Sequence, residues 1–237
     1  MNKLIRMSLV GVISLAAAFA SKAAPTTIMP VGDSLTANDP GYRGPLLAAL
    51  RGAGHEVEFV GSKKGATPHE GFGGFTIGPG PSKADAWSGG KGNIHAQLDG
   101  ILAKNQPDVL ILLVGVNDYF NIKELEPGYD VNRDGAARLG GVLDKIHALS
   151  PKTRVLYSSI LPVAWDKNFA KKYNVQLPAL AASRPFAVFV DLNTMTGLDK
   201  GDWSKDGLHL DAPGNEKVAK GWAAALEPVL KELAAKK

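Results

Sequence analysis

Short apolar runs alternate along this chain with longer amphipathic segments. The apolar runs predict strands over residues 27–31, 56–61, 108–114, 154–160 and 187–192. The segments between them place apolar residues at helical spacing and predict helices near 44–52, 93–105, 136–149, 168–182 and 214–234. Residues 109–114 are apolar at every position, which marks a strand covered on both faces, as in a parallel sheet flanked by helices. The alternation predicts a doubly wound α/β domain of three layers, with ligands bound at the carboxyl ends of the strands. Three polar segments fall at such ends: Gly32-Asp33-Ser34-Leu35, Gly115-Val116-Asn117-Asp118 and Asp206-Gly207-Leu208-His209. The pattern leaves the strand order open. Residues 65–92 and 124–135 break the alternation, and long irregular stretches of this kind are commonly functional loops.

The first 23 residues stand apart. Lys3 and Arg6 precede an apolar run over 7–20, and small residues follow, the signature of a secretory signal cleaved after Ala20 or Ala23. The run is shorter than the ~20 residues that span a bilayer, so no stable membrane span is expected in the mature chain. Residues 24–237 then form one domain, secreted or periplasmic. The formal charge of +4 falls toward neutrality once Lys3, Arg6 and Lys22 are removed, and no basic stripe with interleaved aromatics points to nucleic acid. Cysteine is absent, which excludes disulfides, thiolate metal sites and a cysteine nucleophile.

Ser34 follows the first strand, and Asp206 lies three residues before His209. A hydroxyl is a weak nucleophile at neutral pH. It needs a base for its proton, and the base needs a partner to hold its tautomer, so a serine, a histidine and a carboxylate are the parts of a hydrolytic triad. Each residue also has a plainer use. A serine after a strand is a common helix N-cap, an asparagine beside Gly115 a common turn residue, and Gly74 is one glycine among 27.

Four blocks in order distinguish these readings. Gly32–Leu35, Gly73-Gly74-Phe75-Thr76, Gly115–Asp118 and Asp206–His209 resemble the blocks of the SGNH hydrolases, also called GDSL esterases. The resemblance implies a flavodoxin-like three-layer α/β/α fold with a parallel five-stranded sheet, and ester hydrolysis without metal or organic cofactor. It implies Ser34 as nucleophile, His209 as base and then acid, and Asp206 as its orienting partner. The oxyanion would be held by the backbone N–H groups of Ser34 and Gly74 and by the Asn117 amide. Flanking residues are similar to the acetylxylan esterases of carbohydrate esterase family three: Gly41-Tyr42-Arg43, Phe59-Val60-Gly61-Ser62, His69-Glu70-Gly71 and Pro107-Asp108-Val109. Val116 and Leu210 depart from that pattern, where Thr and Pro are frequent. The implied partner is a small-molecule or polysaccharide ester, with acetyl the favoured acyl group.

Two alternatives follow from the same residues. One is a lysophospholipase- or thioesterase-type enzyme for longer acyl chains. The other is a carbohydrate-binding protein on the same fold without turnover. A long chain needs an apolar channel, and residues 65–92 offer few large apolar side chains besides Phe72, Phe75, Ile77 and Trp87. Asp33, Phe75, Trp165 and Trp203 are weaker candidates for the substrate cleft. His69 and Glu70 are expected to anchor their loop, and His55, His95 and His147 to lie on the surface without partners. Residues 130–135 begin like a calcium loop, but Gly141 stands where the acidic twelfth ligand belongs, so a polar turn before a helix is expected.

Overall fold

The computed structural model describes residues 24–78, 92–120 and 128–236. The leader segment and Trp87 lie outside the described residues. In chain order the elements are β1 (Thr26–Gly32), α1 (Ser34–Ala37), α2 (Arg43–Gly52), β2 (Val57–Phe59), β3 (Glu70–Gly71) and α3 (Ile94–Lys104). They continue as β4 (Val109–Leu113), α4 (Val116–Phe120), α5 (Val131–Leu149), β5 (Arg154–Ser158), α6 (Lys171–Asn174) and α7 (Pro178–Ala182). The last are β6 (Ala187–Val190), α8 (Leu192–Met195) and α9 (Ala212–Ala234).

The strands pair in the order β2-β1-β4-β5-β6, and all pairings are parallel. The order reverses between β1 and β4, and the carboxyl ends on either side of that point carry Ser34 and Asn117. The five expected strands are joined by a sixth. β3 pairs with the upper part of β1, Val31 opposite Glu70, where β2 has already ended opposite Ile28. Pro30 sits in the gap. In a parallel strand the N–H groups alternate between neighbours. The carbonyls of Ile28 and Gly32 face the β2–β3 side, accepting from Val60 and Phe72, so Pro30 faces it too. A proline, having no N–H to give, is tolerated where the neighbouring strand is interrupted.

β4 is buried at all five positions and divides two cores. Leu110 and Leu112 pack with Met29, α3 and α5, whereas Val109, Ile111 and Leu113 pack with Ile28, α2 and α9. Burying each such side chain contributes roughly 1.5–3 kcal/mol. The result is the three-layer arrangement that the alternation predicts.

Several boundaries move for identifiable reasons. α5 begins at Val131 rather than at 136, because the Asp130 carboxylate accepts from the Asn132 N–H at 2.8 Å and caps the helix. The calcium-like segment is thus the first turn of a helix. The helix expected over 168–182 is split into α6 and α7. Asn174, at the end of α6, spends its side chain on the Ile160 N–H and carbonyl, both at 2.9 Å, and Pro178 opens α7.

Candidate active site

Gly32, Asp33 and Ser34 lead from β1 into α1. Gly32 allows the close approach on which this turn depends, since a Cβ there would lie 2.1 Å from the Leu113 carbonyl oxygen. Asp33 caps α1 by accepting from the Leu35 N–H at 3.0 Å. Ser34 is the first helical residue, so its N–H has no intrahelical acceptor. Arg43, fully buried, braces the segment that follows. Its guanidinium donates to the carbonyls of Thr36 at 2.8 Å, Asn38 at 3.1 Å and Thr67 at 2.5 Å.

The histidine beside Ser34 comes from a distant loop. His209 Nε2 lies 2.8 Å from Ser34 Oγ, although the two residues are 175 apart in sequence, and His209 Nδ1 lies 2.6 Å from Asp206 Oδ2. Burial alone would raise the Asp206 carboxyl. Hydrogen bonds from the His209 ring and backbone, Ser204 and Leu208 instead hold it well below the usual carboxylate range. An ionised carboxylate only accepts, so Nδ1 carries the ring proton and Nε2 is left to accept from the Ser34 hydroxyl. Asp206 Oδ1 takes the Ser204 hydroxyl at 2.7 Å and the N–H groups of Leu208 and His209, each at 2.9 Å. The loop closes on itself through the Gly207 N–H to the Ser204 carbonyl and the Ser204 N–H to the His209 carbonyl.

Opposite His209 the chain turns at Phe72–Phe75. The Phe75 N–H returns to the Phe72 carbonyl at 3.1 Å, and Gly74 has a φ of 82°, the value a type II turn demands of its third residue. The turn comes close to the serine, for a Cβ on Gly73 would be 3.9 Å from Ser34 Cβ. Asn117, in α4, donates from Nδ2 to the Phe75 carbonyl at 2.9 Å, which locks its amide against the same turn. One amide hydrogen is engaged there, and the other remains for a ligand.

Beneath these groups lie two buried carboxyls. Asp33 is 1% exposed and Asp118 2%. Burial pushes Asp33 up to about 7, against the Leu35 N–H, with the Asp118 charge adding to the rise. Burial also pushes Asp118 up to about 7, against the Ile77 N–H and the Tyr129 hydroxyl, which it accepts at 3.0 Å each. Asp33, a candidate for the substrate cleft from the sequence, is instead buried away from the cleft wall. Its short side chain turns inward to cap α1 and lies under the site. Asp118 received no role from the sequence although it closes the third block, because only its burial reveals that it anchors the Gly74–Ile77 segment.

The other candidates separate. Phe75 stacks on Phe72 at 5.0 Å and meets the site through its carbonyl. Trp165 is 60% exposed, with its ring against Gly207 of the base loop. Trp203 packs on the α2–α9 core and lines a cavity of about 350 Å³ with Pro162, Ala164 and Lys167. His69 Nδ1 accepts from the Gly71 N–H at 2.9 Å, and Glu70 accepts from the Ser62 N–H and hydroxyl, so both anchor their loop. His55 is not unpartnered but pairs with Glu227 at 2.6 Å, and His147 stacks on Phe186 at 4.1 Å. Among the described residues no group of three or more His, Cys, Asp or Glu is arranged to hold a metal ion, and no helix is long and apolar enough to cross a membrane.

The fold and this constellation define a class of protein. Residues 31–217 match the GDSL-like Lipase/Acylhydrolase family, and the chain belongs to that family. Its relatives include a multidomain esterase of Ruminococcus flavefaciens, 27% identical over 257 residues, an alignment covering 96% of this chain and 32% of that protein. A putative endoglucanase X of Acetivibrio thermocellus is 29% identical over 145 residues, covering 60% of this chain and 59% of the other. The chain thus spans less than two thirds of each of these curated relatives. Among solved structures, a family 3 carbohydrate esterase of Clostridium thermocellum superposes with a TM-score of 0.72 at 28% identity, covering 89% of this chain and 99% of that one. A family 3 carbohydrate esterase of Talaromyces cellulolyticus shares the fold at a TM-score of 0.66 and 20% identity, covering 87% and 99%.

Proposed function

We propose that this protein is an exported carboxylic-ester hydrolase that removes short acyl groups, acetyl above all, from carbohydrate through a serine acyl-enzyme. The observation that carries the reading is the Ser34–His209–Asp206 chain of hydrogen bonds at 2.8 and 2.6 Å, assembled from opposite ends of the sequence. Ser34 Oγ attacks the ester carbonyl carbon while its proton passes to His209 Nε2. The tetrahedral oxyanion is held by the N–H groups of Ser34 and Gly74 and the free amide hydrogen of Asn117. The carbon–oxygen bond to the sugar breaks, and His209 gives its proton to the departing alcohol. Water then attacks the acyl-serine carbon with His209 again the base, the acyl–Oγ bond breaks, the carboxylic acid leaves, and His209 returns its proton to Ser34 Oγ. Every proton moves among Ser34, His209, substrate and water. Donors aimed at charge that develops only in the transition state lower the barrier without tightening ground-state binding.

The family membership and the carbohydrate esterases among the similar structures support the substrate class, and the leader-like residues 1–23 support export. The test is a series of aryl esters from acetate to decanoate, with acetate release from acetylated xylan and chitin oligomers alongside. The expected result is a rate that falls steeply beyond butyrate, and a Ser34→Ala variant reduced by about 10⁴-fold or more with its fold intact. Wild-type turnover in folded Ser34→Ala would remove Ser34 as nucleophile.

A further inference from the structure

The loop after β5 and the end of α4 together carry an aromatic ridge that the triad does not use. Trp165 and Phe120 are 60% and 45% exposed, and their rings meet edge to face at 6.4 Å. Phe120 stacks nearly parallel on Phe169 at 5.6 Å. At one end the ridge touches the catalytic loop. A Cβ on Gly207 would lie 2.8 Å from Trp165 Cε3 and Cζ3, and the neighbouring Ala164 N–H donates to the Gly207 carbonyl at 2.9 Å. Gly207 lies between Asp206 and His209. At the other end Phe169 forms a wall of a cavity of about 500 Å³ whose lining also includes Phe189, Lys167, Asn168, Asn193 and Thr194.

Exposed aromatic surface is costly unless something covers it, and contiguous apolar patches on a protein surface mark ligand or partner sites. Here the exposed apolar side chains are concentrated. Of the four large apolar side chains exposed among the described residues, Phe120 and Trp165 form the ridge and Val175, 67% exposed, lines the cavity beyond it, whereas Met195 lies outside that lining. The chemistry selects among ligands. A long acyl chain calls for an enclosed apolar channel, but this surface pairs the exposed rings of Trp165 and Phe120 with amide, hydroxyl and ammonium groups. Flat rings match the C–H face of a pyranose, and the polar groups match its equatorial hydroxyls. A volume of about 500 Å³ falls within the roughly 300–1,000 Å³ of small-molecule sites.

We propose that Trp165 and Phe120, backed by Phe169, which is itself held between Phe120 and Tyr119, form a stacking platform for the sugar units of an acylated glycan, and that the cavity beyond Phe169 receives the chain next to the acylated unit. The proposal rests on the esterase reading only for the direction of the ester toward Ser34. Two experiments separate the readings. In the first, kcat/KM is measured on acetylated xylotetraose and on an aryl acetate. Trp165→Ala is expected to lower the ratio of the two about tenfold, through KM on the oligosaccharide, which corresponds to stacking worth about 1.4 kcal/mol. Trp165→Tyr is expected to restore most of that ratio. An equal loss on both substrates would overturn the platform, because Trp165 would then act only by holding the Gly207–His209 loop. In the second, xylohexaose and chitohexaose, neither of which carries an ester for the enzyme to remove, are titrated calorimetrically into Ser34→Ala with and without Trp165→Ala. Binding of either sugar that weakens about tenfold on loss of Trp165 supports the platform even if no ester is turned over. Absence of binding, or binding indifferent to Trp165, overturns it even if the esterase reading stands.

Discussion

Ser34, Gly74 and Asn117 stand on a buried base, whereas Asp206 and His209 stand in a loop that faces solvent. The first group is tied to the sheet from below by Asp33 and Asp118, and to neighbouring loops by the fully buried Arg43. The second group is 51% exposed at Asp206 and 30% at His209, and is held by hydrogen bonds made largely within residues 204–209. Oxyanion donors work only if they are in place before charge develops, which calls for rigid surroundings. A base must exchange protons with substrate and solvent while its carboxylate partner stays ionised, and a self-bonded loop provides that at the surface. The comparison therefore predicts that damage to the two halves will differ in kind: loss chiefly of rate in the loop, and loss of stability as well in the base.

After loss of Ser34 itself, the largest effect is expected at Asp206. Asp206→Asn leaves the loop's acceptor largely in place but permits the wrong His209 tautomer, and should lower kcat by about 10³- to 10⁴-fold. Thermal unfolding should show a stability loss of about 1 kcal/mol, since Oδ1 keeps its three contacts and only the bond to the His209 ring is lost. A stability loss of several kcal/mol would break the contrast. Asn117→Ala should lower kcat by about 10²- to 10³-fold with KM nearly unchanged, measured on a short aryl ester. A change in KM alone would make Asn117 a ground-state contact. Arg43→Met should cost about 3 kcal/mol or more in urea unfolding, because it leaves the carbonyls of Thr36, Asn38 and Thr67 without their donor.

The smallest effect concerns pH. Asp118 binds its proton more tightly folded, with a value of about 7 against 3.8 for an ordinary aspartate. The folded state thus holds more protons than the unfolded one between these values, so the contribution of Asp118 is fully present at low pH and is lost as pH rises toward 7. Asp118→Asn cannot titrate. Its stability relative to wild type should improve on the order of 2 kcal/mol from pH 5 to pH 7. Urea midpoints that run parallel across that range would show that Asp118 is not held protonated by its burial.

How much of this was readable beforehand differs by element. All five long strands and most helices follow from local periodicity, and β4 was recognisable because a strand covered on both faces has no polar positions to spare. The short helices α1 and α4 are not legible in the sequence because their residues belong to motifs that read as loops, and α8 and β3 because so few residues carry no period. The four blocks identified Ser34, Gly74, Asn117, Asp206 and His209 as a set. What the sequence could determine was the inventory of chemical groups and the elements bearing them, since both are local properties. The tertiary structure alone decided which of those groups meet and in what surroundings. Asp33 and Asp118 are ordinary aspartates in the sequence, and only burial by distant elements turns them into a proton-holding base beneath the site. Trp165 and Trp203 both look like loop tryptophans, yet one is exposed beside Gly207 and the other packs on the core. Exposure and charge state are set by neighbours contributed from other parts of the chain, and no local pattern of residues encodes them.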